Sequence, residues 1–326
     1  MIKDFLASLP KEAIEGSKNI DLQIRSVAAH NAIDAVLSKT VLQGGKRLRP
    51  LLTLLMSHLF QVDFKLVIPY ARATELVHAA SLSHDDVIDN ATLRRGSASI
   101  NILSSNKKAV LAGDYLLSSV IVDLALAGNL ELVREMSLVI KALSEGEWLQ
   151  LDLIEDRNYT REVIREVAEK KTSSVMSYCA LAPAILAGAQ SEIVEHSREF
   201  GRRLGLAFQL IDDTLDYSGE SLKDQELDLK NGIVNAVVYE MLSNNISLMA
   251  RFKQGEDLIN VVSKTDFSSY VDIISQEAQE HLGHARDSLY IIKKSLTEKY
   301  KNNLGELDKR VEALELVMAF MAMRQN

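Results

Sequence analysis

The chain has one cysteine, Cys179, so no intrachain disulfide can form, which suits a reducing compartment. Proline is scarce across the 326 residues. Only Pro10, Pro50, Pro69 and Pro183 occur, and long stretches are left free to run as unbroken helix. Strand-like alternation longer than a few residues is missing, and so is any low-complexity linker that would divide the chain. No basic stripe offsets the net charge of −8, which argues against nonspecific nucleic-acid binding. The start, Met1-Ile2-Lys3-Asp4-Phe5, lacks the cationic and apolar blocks of a signal peptide. The most apolar stretch, Val110 to Leu130, carries Asp114 and Asp123, which are expected to break it too early for a membrane span. These absences point to a cytoplasmic protein with no transmembrane segment and no nucleic-acid partner.

What is present is helical periodicity. Ile20–Leu42 reads as one amphipathic helix stopped by Gly44-Gly45, and Pro50 fits the first turn of the next, running to about Phe60. Further helices are expected over Leu66–Asn90, Lys107–Ala127, Leu130–Leu153, Arg161–Leu186, Ser191–Tyr217, Ile233–Arg251, Tyr270–Leu296 and Leu304–Met323. Ser218–Asn231, Lys253–Glu256 and Lys301–Asn303 are polar and read as loops. The expected fold is all-α, a single domain over 1–326.

One acidic pattern occurs twice. Asp85-Asp86-Val87-Ile88-Asp89 and Asp212-Asp213-Thr214-Leu215-Asp216 both read Asp-Asp-x-x-Asp, each at the end of an apolar helical segment. On a helix, residues four apart differ by about 40° and three apart by about 60°, so each trio presents carboxylates toward one side. Like charges so placed repel by roughly a few tenths of a kcal/mol per pair. A hard divalent metal, bound through oxygen and bridging to a substrate phosphate, would offset that repulsion.

Cations cluster around the first copy in sequence. Gly44-Gly45-Lys46-Arg47-Leu48-Arg49-Pro50 places three of them in a glycine-bounded loop at a helix start, where backbone N–H groups and cationic side chains suit an anion. Arg94-Arg95-Gly96 follows Asp89 by one short loop. The pairing suggests a diphosphate held by metal on one side and arginine on the other.

With Glu75-Leu-Val-His78, His84, Ala112-Gly113-Asp114, Gly146-Glu147-x-x-Gln150, Lys171-Thr172 and Gln209-Leu-Ile-Asp-Asp-Thr-Leu-Asp216, these stretches resemble the trans-polyprenyl diphosphate synthases, the isoprenyl chain elongases, in the right order from Gly44 to Gly232. The resemblance implies an isoprenoid synthase-like helical bundle around a central cavity, with the two aspartate patterns facing each other across its mouth. It implies Asp85, Asp86 and Asp89 as ligands of two of three Mg²⁺ ions, and Asp212, with Asp213 and Asp216 near it, for the third. Arg94, Lys171, Thr172, Gln209 and Lys223 would hold the allylic diphosphate. Lys46, Arg49, His78 and Arg95 would hold isopentenyl diphosphate. The pattern departs after Tyr217: Lys223, Asp228 and Gly232 stay in register without the surrounding glycines and prolines, Ile233 replaces a frequent lysine, and Ala98 replaces a proline.

The implied activity is elongation of an allylic diphosphate by successive isopentenyl units to a hexa- to decaprenyl product, of the kind used for quinone side chains. Ala80 and Ser81 stand where short-chain members carry a large aromatic, so the product tail is expected to run past Val77 and Thr74, toward a stop around Leu117 and Ile121. A homodimer is the default assembly. The alternatives are the catalytic half of a two-component hexaprenyl or heptaprenyl synthase with a small regulatory subunit, a terpene cyclase, against which Lys46, Arg49 and Arg95 speak, and a non-catalytic homologue. Other polar residues have plainer readings. Glu75-x-x-His78 has no second copy to make a di-iron site. His84 orients or packs, and Glu147 and Gln150 serve either a polar interior or packing. Asp114 holds helix ends near Arg94, and Cys179 is core.

Overall fold

Long helices follow from the shortage of breakers. A computed structural model describes residues 8–22, 31–94, 96–217, 229–262 and 265–323. Its helices are α1 (Lys11–Lys18), α2 (Asn31–Lys39), α3 (Leu48–Phe60), α4 (Phe64–Ile88), α5 (Ile100–Leu103), α6 (Asn106–Ala127), α7 (Leu130–Asp156) and α8 (Arg161–Ala168). A π-helical turn, Glu169–Ser173, leads into α9 (Ser174–Leu186) and α10 (Ser191–Leu215). Then come α11 (Ala236–Ser243), α12 (Ile246–Lys253), α13 (Leu258–Val262), α14 (Ser268–Leu296) and α15 (Leu304–Ala322). The strands among the described residues are two-residue pieces, β1 (Leu93–Arg94) and β2 (Ser97–Ala98), paired antiparallel across Gly96. The fold is all-α.

Side-chain caps set several helix starts. Asp63 accepts from the Lys65 N–H at 2.9 Å, and Asn235 and Asn245 accept from Val238 and Leu248 at 3.0 and 3.2 Å. The Asn245 cap explains one difference from expectation: the single helix expected over Ile233–Arg251 is two, because Asn244-Asn245 ends α11 and starts α12. The expected helix Ile20–Leu42 is also shorter. Ile20 to Leu22 are not helical, α2 begins at Asn31, and residues 23–30 lie outside the described set. The helix expected over Arg161–Leu186 is interrupted by the π turn.

The chain forms two compact units, one of Met1–Ile140 with Tyr178–Val194, the other of Lys141–Ser177 with Glu195–Asn326. In the first, α4 packs along α6 and α3, and α1 packs on α3. Leu52, Leu55, Met56, Tyr70, Val77, Leu116 and Val120 are buried in its core. In the second, Leu153, Tyr159, Val238, Met241 and Phe252 form an apolar cluster, and the Tyr159 hydroxyl donates to the Gly232 carbonyl at 3.2 Å. By length and composition alone, α6 is the one helix among the described residues that could cross a membrane. Its Asp123 pairs with Arg72 of α4, and its Asp114 stands 3.4 Å from His84.

Candidate active site

In the first unit the end of α4 gathers the first aspartates. Asp85 and Asp86 occupy the last turn, and Asp89, at the C-cap, donates its N–H to the Asp85 carbonyl at 2.8 Å. A helix C-terminus is the unfavourable end for carboxylates, so cations are needed beside them. One is supplied by the short hairpin. Arg94 donates from Nε and Nη2 to the Oδ1 of fully buried Asp86 at 2.8 and 2.6 Å. Asn101 secures the same corner, donating to the Asp86 and Ala91 carbonyls at 3.0 and 3.1 Å. Asp86 Oδ2 is buried with no hydrogen-bond partner.

His84 packs its ring over Gly113, where a Cβ would lie 2.2 Å from Nε2, and that nitrogen donates to the Val110 carbonyl at 3.2 Å. Asp114 is therefore structural, as expected, but it ties α6 to His84 of α4, while Arg94 is held on Asp86. His78 and Ser81 are partly exposed, with Ser81 Oγ donating to the His78 carbonyl at 2.9 Å. Ala80, and below it Val77 and Thr74, are buried.

The cation loop precedes α3. Gly44 and Gly45 take φ of 73° and 83°, and Arg47 takes 52° as N-cap of α3, a left-handed turn that glycine adopts without a Cβ penalty. Lys46 is exposed and Arg49 partly so. The Arg49 carbonyl accepts from Thr53 Oγ1 at 3.0 Å, and burial pushes the Cys179 thiol up to about 11 despite the Arg49 charge. Cys179 is core, as expected.

In the second unit, the π turn carries Lys171 and Thr172. Such a turn widens the helix and projects side chains at irregular angles, often at functional sites. Lys171 Nζ donates to Glu147 and, at 3.1 Å, to Gln150, both on α7, so the open alternative for these two resolves to a polar interior role. Close helix approach makes this possible: a Cβ on Gly146 would lie 2.8 Å from Lys170 Cβ and Lys171 Cγ. Thr172 Oγ1 donates to Gln209 Oε1 at 2.7 Å, and Gln209 Nε2 donates to Asp213 Oδ1 at 2.9 Å. Asp213 Oδ2 accepts from the Ala236 N–H at 3.0 Å. Burial first, then Asp216 and Asp212, push the Asp213 carboxyl up to about 7, against the pull of the Gln209 and Ala236 bonds. Asp212, on α10, and Asp216, in the turn just past its last residue Leu215, are partly exposed.

Lys223 and Arg95 lie outside the described residues. Asn101 and Gly205 carry no motif of their own, and the π geometry around Lys171-Thr172 leaves no local signal in the sequence. Among the described residues no three His, Cys, Asp or Glu side chains stand together as a finished metal cage. The carboxylate donors still fit Mg²⁺, an ion that takes one or two protein carboxylates and completes its shell with water and substrate phosphate. The buried, unpartnered Asp86 oxygen fits a cation in the same way.

Residues 30–266 match the model for the family described as polyprenyl synthetase. The solanesyl-diphosphate synthase 1 of Oryza sativa subsp. japonica is 42% identical over 175 residues, 52% of this chain and 41% of that protein. The chain spans about half the length of the first curated relatives it matches, 41%, 49% and 60%. Among solved structures, a decaprenyl diphosphate synthase from Rhodobacter capsulatus superposes with a TM-score of 0.83 at 24% identity, covering 99% of both chains. A polyprenyl synthase from Caulobacter crescentus, complexed with calcium and isoprenyl diphosphate, gives 0.82 at 25% identity, covering 99% of this chain and 98% of its own.

Proposed function

Because the chain belongs to the polyprenyl synthetase family, we propose that it condenses an allylic diphosphate with successive isopentenyl diphosphates to a hexa- to decaprenyl diphosphate. The observation that carries this reading is the second unit's Lys171–Thr172–Gln209 array, with Asp212 one turn beyond Gln209 on α10 and Asp216 just past the helix end. It puts a cation and amide donors for a phosphate next to carboxylates for a metal. The relative named solanesyl-diphosphate synthase supports the product length.

In this reading both aspartate patterns serve the allylic diphosphate, and the two units act as one catalytic domain. Bound magnesium, three ions in all, would offset the charge that grows on the diphosphate as its C–O bond ionises. Asp85, Asp86 and Asp89 would hold metal in the first unit, and Asp212 with Asp216 in the second. Lys171, Thr172 and Gln209 in the second unit, and Arg94 in the first, would bind phosphate oxygens, and the Glu147 and Gln150 bonds fix the long Lys171 side chain against α7. Lys46, Arg49 and His78 hold isopentenyl diphosphate so that its double bond meets the allylic cation at once, an effect of proximity. The freed diphosphate takes the proton lost from the new chain. Lys223 and Arg95 keep their proposed phosphate roles.

A homodimer goes with this reading. Leu111, Val122 and Leu126 are 61%, 58% and 82% exposed and lie within about 60° on α6, an apolar face that a second copy would cover. A cytoplasmic setting also goes with it, Cys179 being a free thiol. The test is diphosphate release from farnesyl and isopentenyl diphosphates with Mg²⁺. Asp85→Ala and Asp212→Ala should each lower turnover by orders of magnitude, since tenfold is about 1.4 kcal/mol. Near-normal turnover in either variant would sink the assignment.

A further inference from the structure

Asp212, Asp213 and Asp216 are equivalent as letters in a repeated pattern, but α10 does not treat them alike. Asp212 on α10 is partly exposed, as is Asp216 in the turn just past Leu215, whereas Asp213 is turned about 100° from Asp212 along the helix and is only 7% exposed. Both its oxygens already have donors: Gln209 Nε2 at 2.9 Å on Oδ1, and the Ala236 N–H at 3.0 Å on Oδ2. Ala236 is the first residue of α11, whose opening N–H groups have no partner inside the helix. Asn235 satisfies one of them, at Val238, and Asp213 satisfies another. A carboxylate at that end also meets the favourable pole of the helix dipole.

The hydrogen bonds form one chain. Thr172 Oγ1 donates to Gln209, Gln209 to Asp213, and Ala236 to Asp213, so the π turn, α10 and the start of α11 are tied through a single buried carboxyl. Asp213 and Ala236 both line a recess with Ile164, Leu206, Leu210, Tyr239 and His281. A cation placed on either oxygen would compete with the Gln209 amide or the Ala236 N–H and loosen the chain that holds Thr172 beside Lys171.

We infer that Asp213 is a positioning residue and not a metal ligand: it brackets the phosphate-facing array to α11 and leaves metal binding in this pattern to Asp212 and Asp216. The link to phosphate rests on the function proposed above; the bracket itself does not.

The first test needs neither metal nor substrate. Hydrogen exchange at Ala236 to Val238 is compared in the wild type, Asp213→Ala, Asp213→Asn and Asp212→Asn. Asp213→Ala should speed exchange at Ala236 about tenfold or more. Asp213→Asn should restore protection, because its amide oxygen accepts from Ala236 while its NH₂ donates to a turned Gln209, which then donates to Thr172. Asp212→Asn should leave these amides unchanged. The second test counts Mn²⁺ ions bound in the presence of inorganic diphosphate. Asp213→Asn should keep the wild-type count and Asp212→Asn should lose at least one ion. In turnover, Asp213→Ala should raise the allylic KM about tenfold and leave the isopentenyl KM unmoved. Wild-type exchange at Ala236 in Asp213→Ala, or an ion lost in Asp213→Asn, overturns the inference. If Asp213→Ala does not fold, the Asp213→Asn ion count decides. If the wild type elongates nothing yet exchange and ion count come out as stated, the proposed function fails and the bracket stands.

Discussion

Gly205→Ala should damage the Lys171–Thr172–Gln209 array without touching any polar residue in it. Gly205 lies on α10 against the π turn, and a Cβ there would stand 2.5 Å from Ser173 Cα, 2.9 Å from its Oγ and 3.0 Å from its Cβ. Carbon atoms rest at about 3.5–4.0 Å, so α10 and the π turn would have to part by about 1 Å. Backbone blocks the closest approach, so no rotamer change relieves it. Overpacking of this kind costs about 1–3 kcal/mol. The same displacement stretches the 2.7 Å Thr172–Gln209 bond beyond hydrogen-bonding range, a further ~0.5–1.5 kcal/mol. The gain in helix propensity on replacing glycine by alanine returns about 1 kcal/mol, leaving a net loss of roughly 0.5–3.5 kcal/mol. Gly283, in the middle of α14, is the control, because nothing lies within 4 Å of a Cβ built there. Gly283→Ala should stabilise by about 0.5–1 kcal/mol from propensity alone. The assay is a pair of thermal or urea melts, with the allylic KM measured on each folded variant. Gly205→Ala should melt lower than wild type and raise the allylic KM, and Gly283→Ala should melt at or above wild type with an unchanged KM. Equal stability of the two variants would refute the close-approach argument.

Lys46→Ala should mainly raise the KM for isopentenyl diphosphate and Lys171→Ala that for the allylic partner, by steady-state kinetics with each substrate varied; the opposite pattern would mean the two anion sites are exchanged. Ser81→Phe or Ala80→Phe should shorten the product toward farnesyl or geranylgeranyl length on chromatography, and an unchanged length distribution in both active variants would mean the tail takes another route. His281, buried and facing Arg203 at 3.1 Å, has its pKa pushed down from 6.5 to about 4 by burial first and then by Arg203 and Arg202. Its unfolded form therefore binds a proton that the folded form refuses, and stability falls as pH drops from about 6.5 to 4, by about 3 kcal/mol at full development. Buried Asp213, pushed up to about 7, acts in the opposite sense over an overlapping range, so the quantity to measure is the difference in urea stability between wild type and His281→Gln from pH 7 to 4. That difference should shift in favour of His281→Gln as pH falls, and parallel curves would contradict it.

Helix positions were largely legible because apolar periodicity and caps act within one segment. Leu48–Phe60 with Pro50 in its first turn, and the long helices ending at Ile88, Ala127 and Leu296, follow from such local signals. The break at Asn244-Asn245 was also written in the sequence, as an asparagine able to cap a new helix, but apolar spacing ran across it and prevailed in the reading. The π turn had no such signal. Its neighbours Gly146 and Gly205 come from other segments: a Cβ on Gly205 would meet Ser173 Cα at 2.5 Å, and one on Gly146 would meet Lys171 Cγ at 2.8 Å. The acidic patterns were legible by spacing, and Lys171 with Glu147 and Gln150 only through the family resemblance. The division of labour among Asp212, Asp213 and Asp216 was not, because it depends on an N–H from Ala236 that the chain brings back from another helix.

The most direct test of the account is to incubate the purified chain alone with farnesyl diphosphate, radiolabelled isopentenyl diphosphate and Mg²⁺, and to size the extracted product. The account predicts chains of six to ten prenyl units, abolished by a chelator and restored by Mg²⁺. No incorporation of isopentenyl units by the wild-type chain, with its helical fold confirmed by circular dichroism, would contradict it.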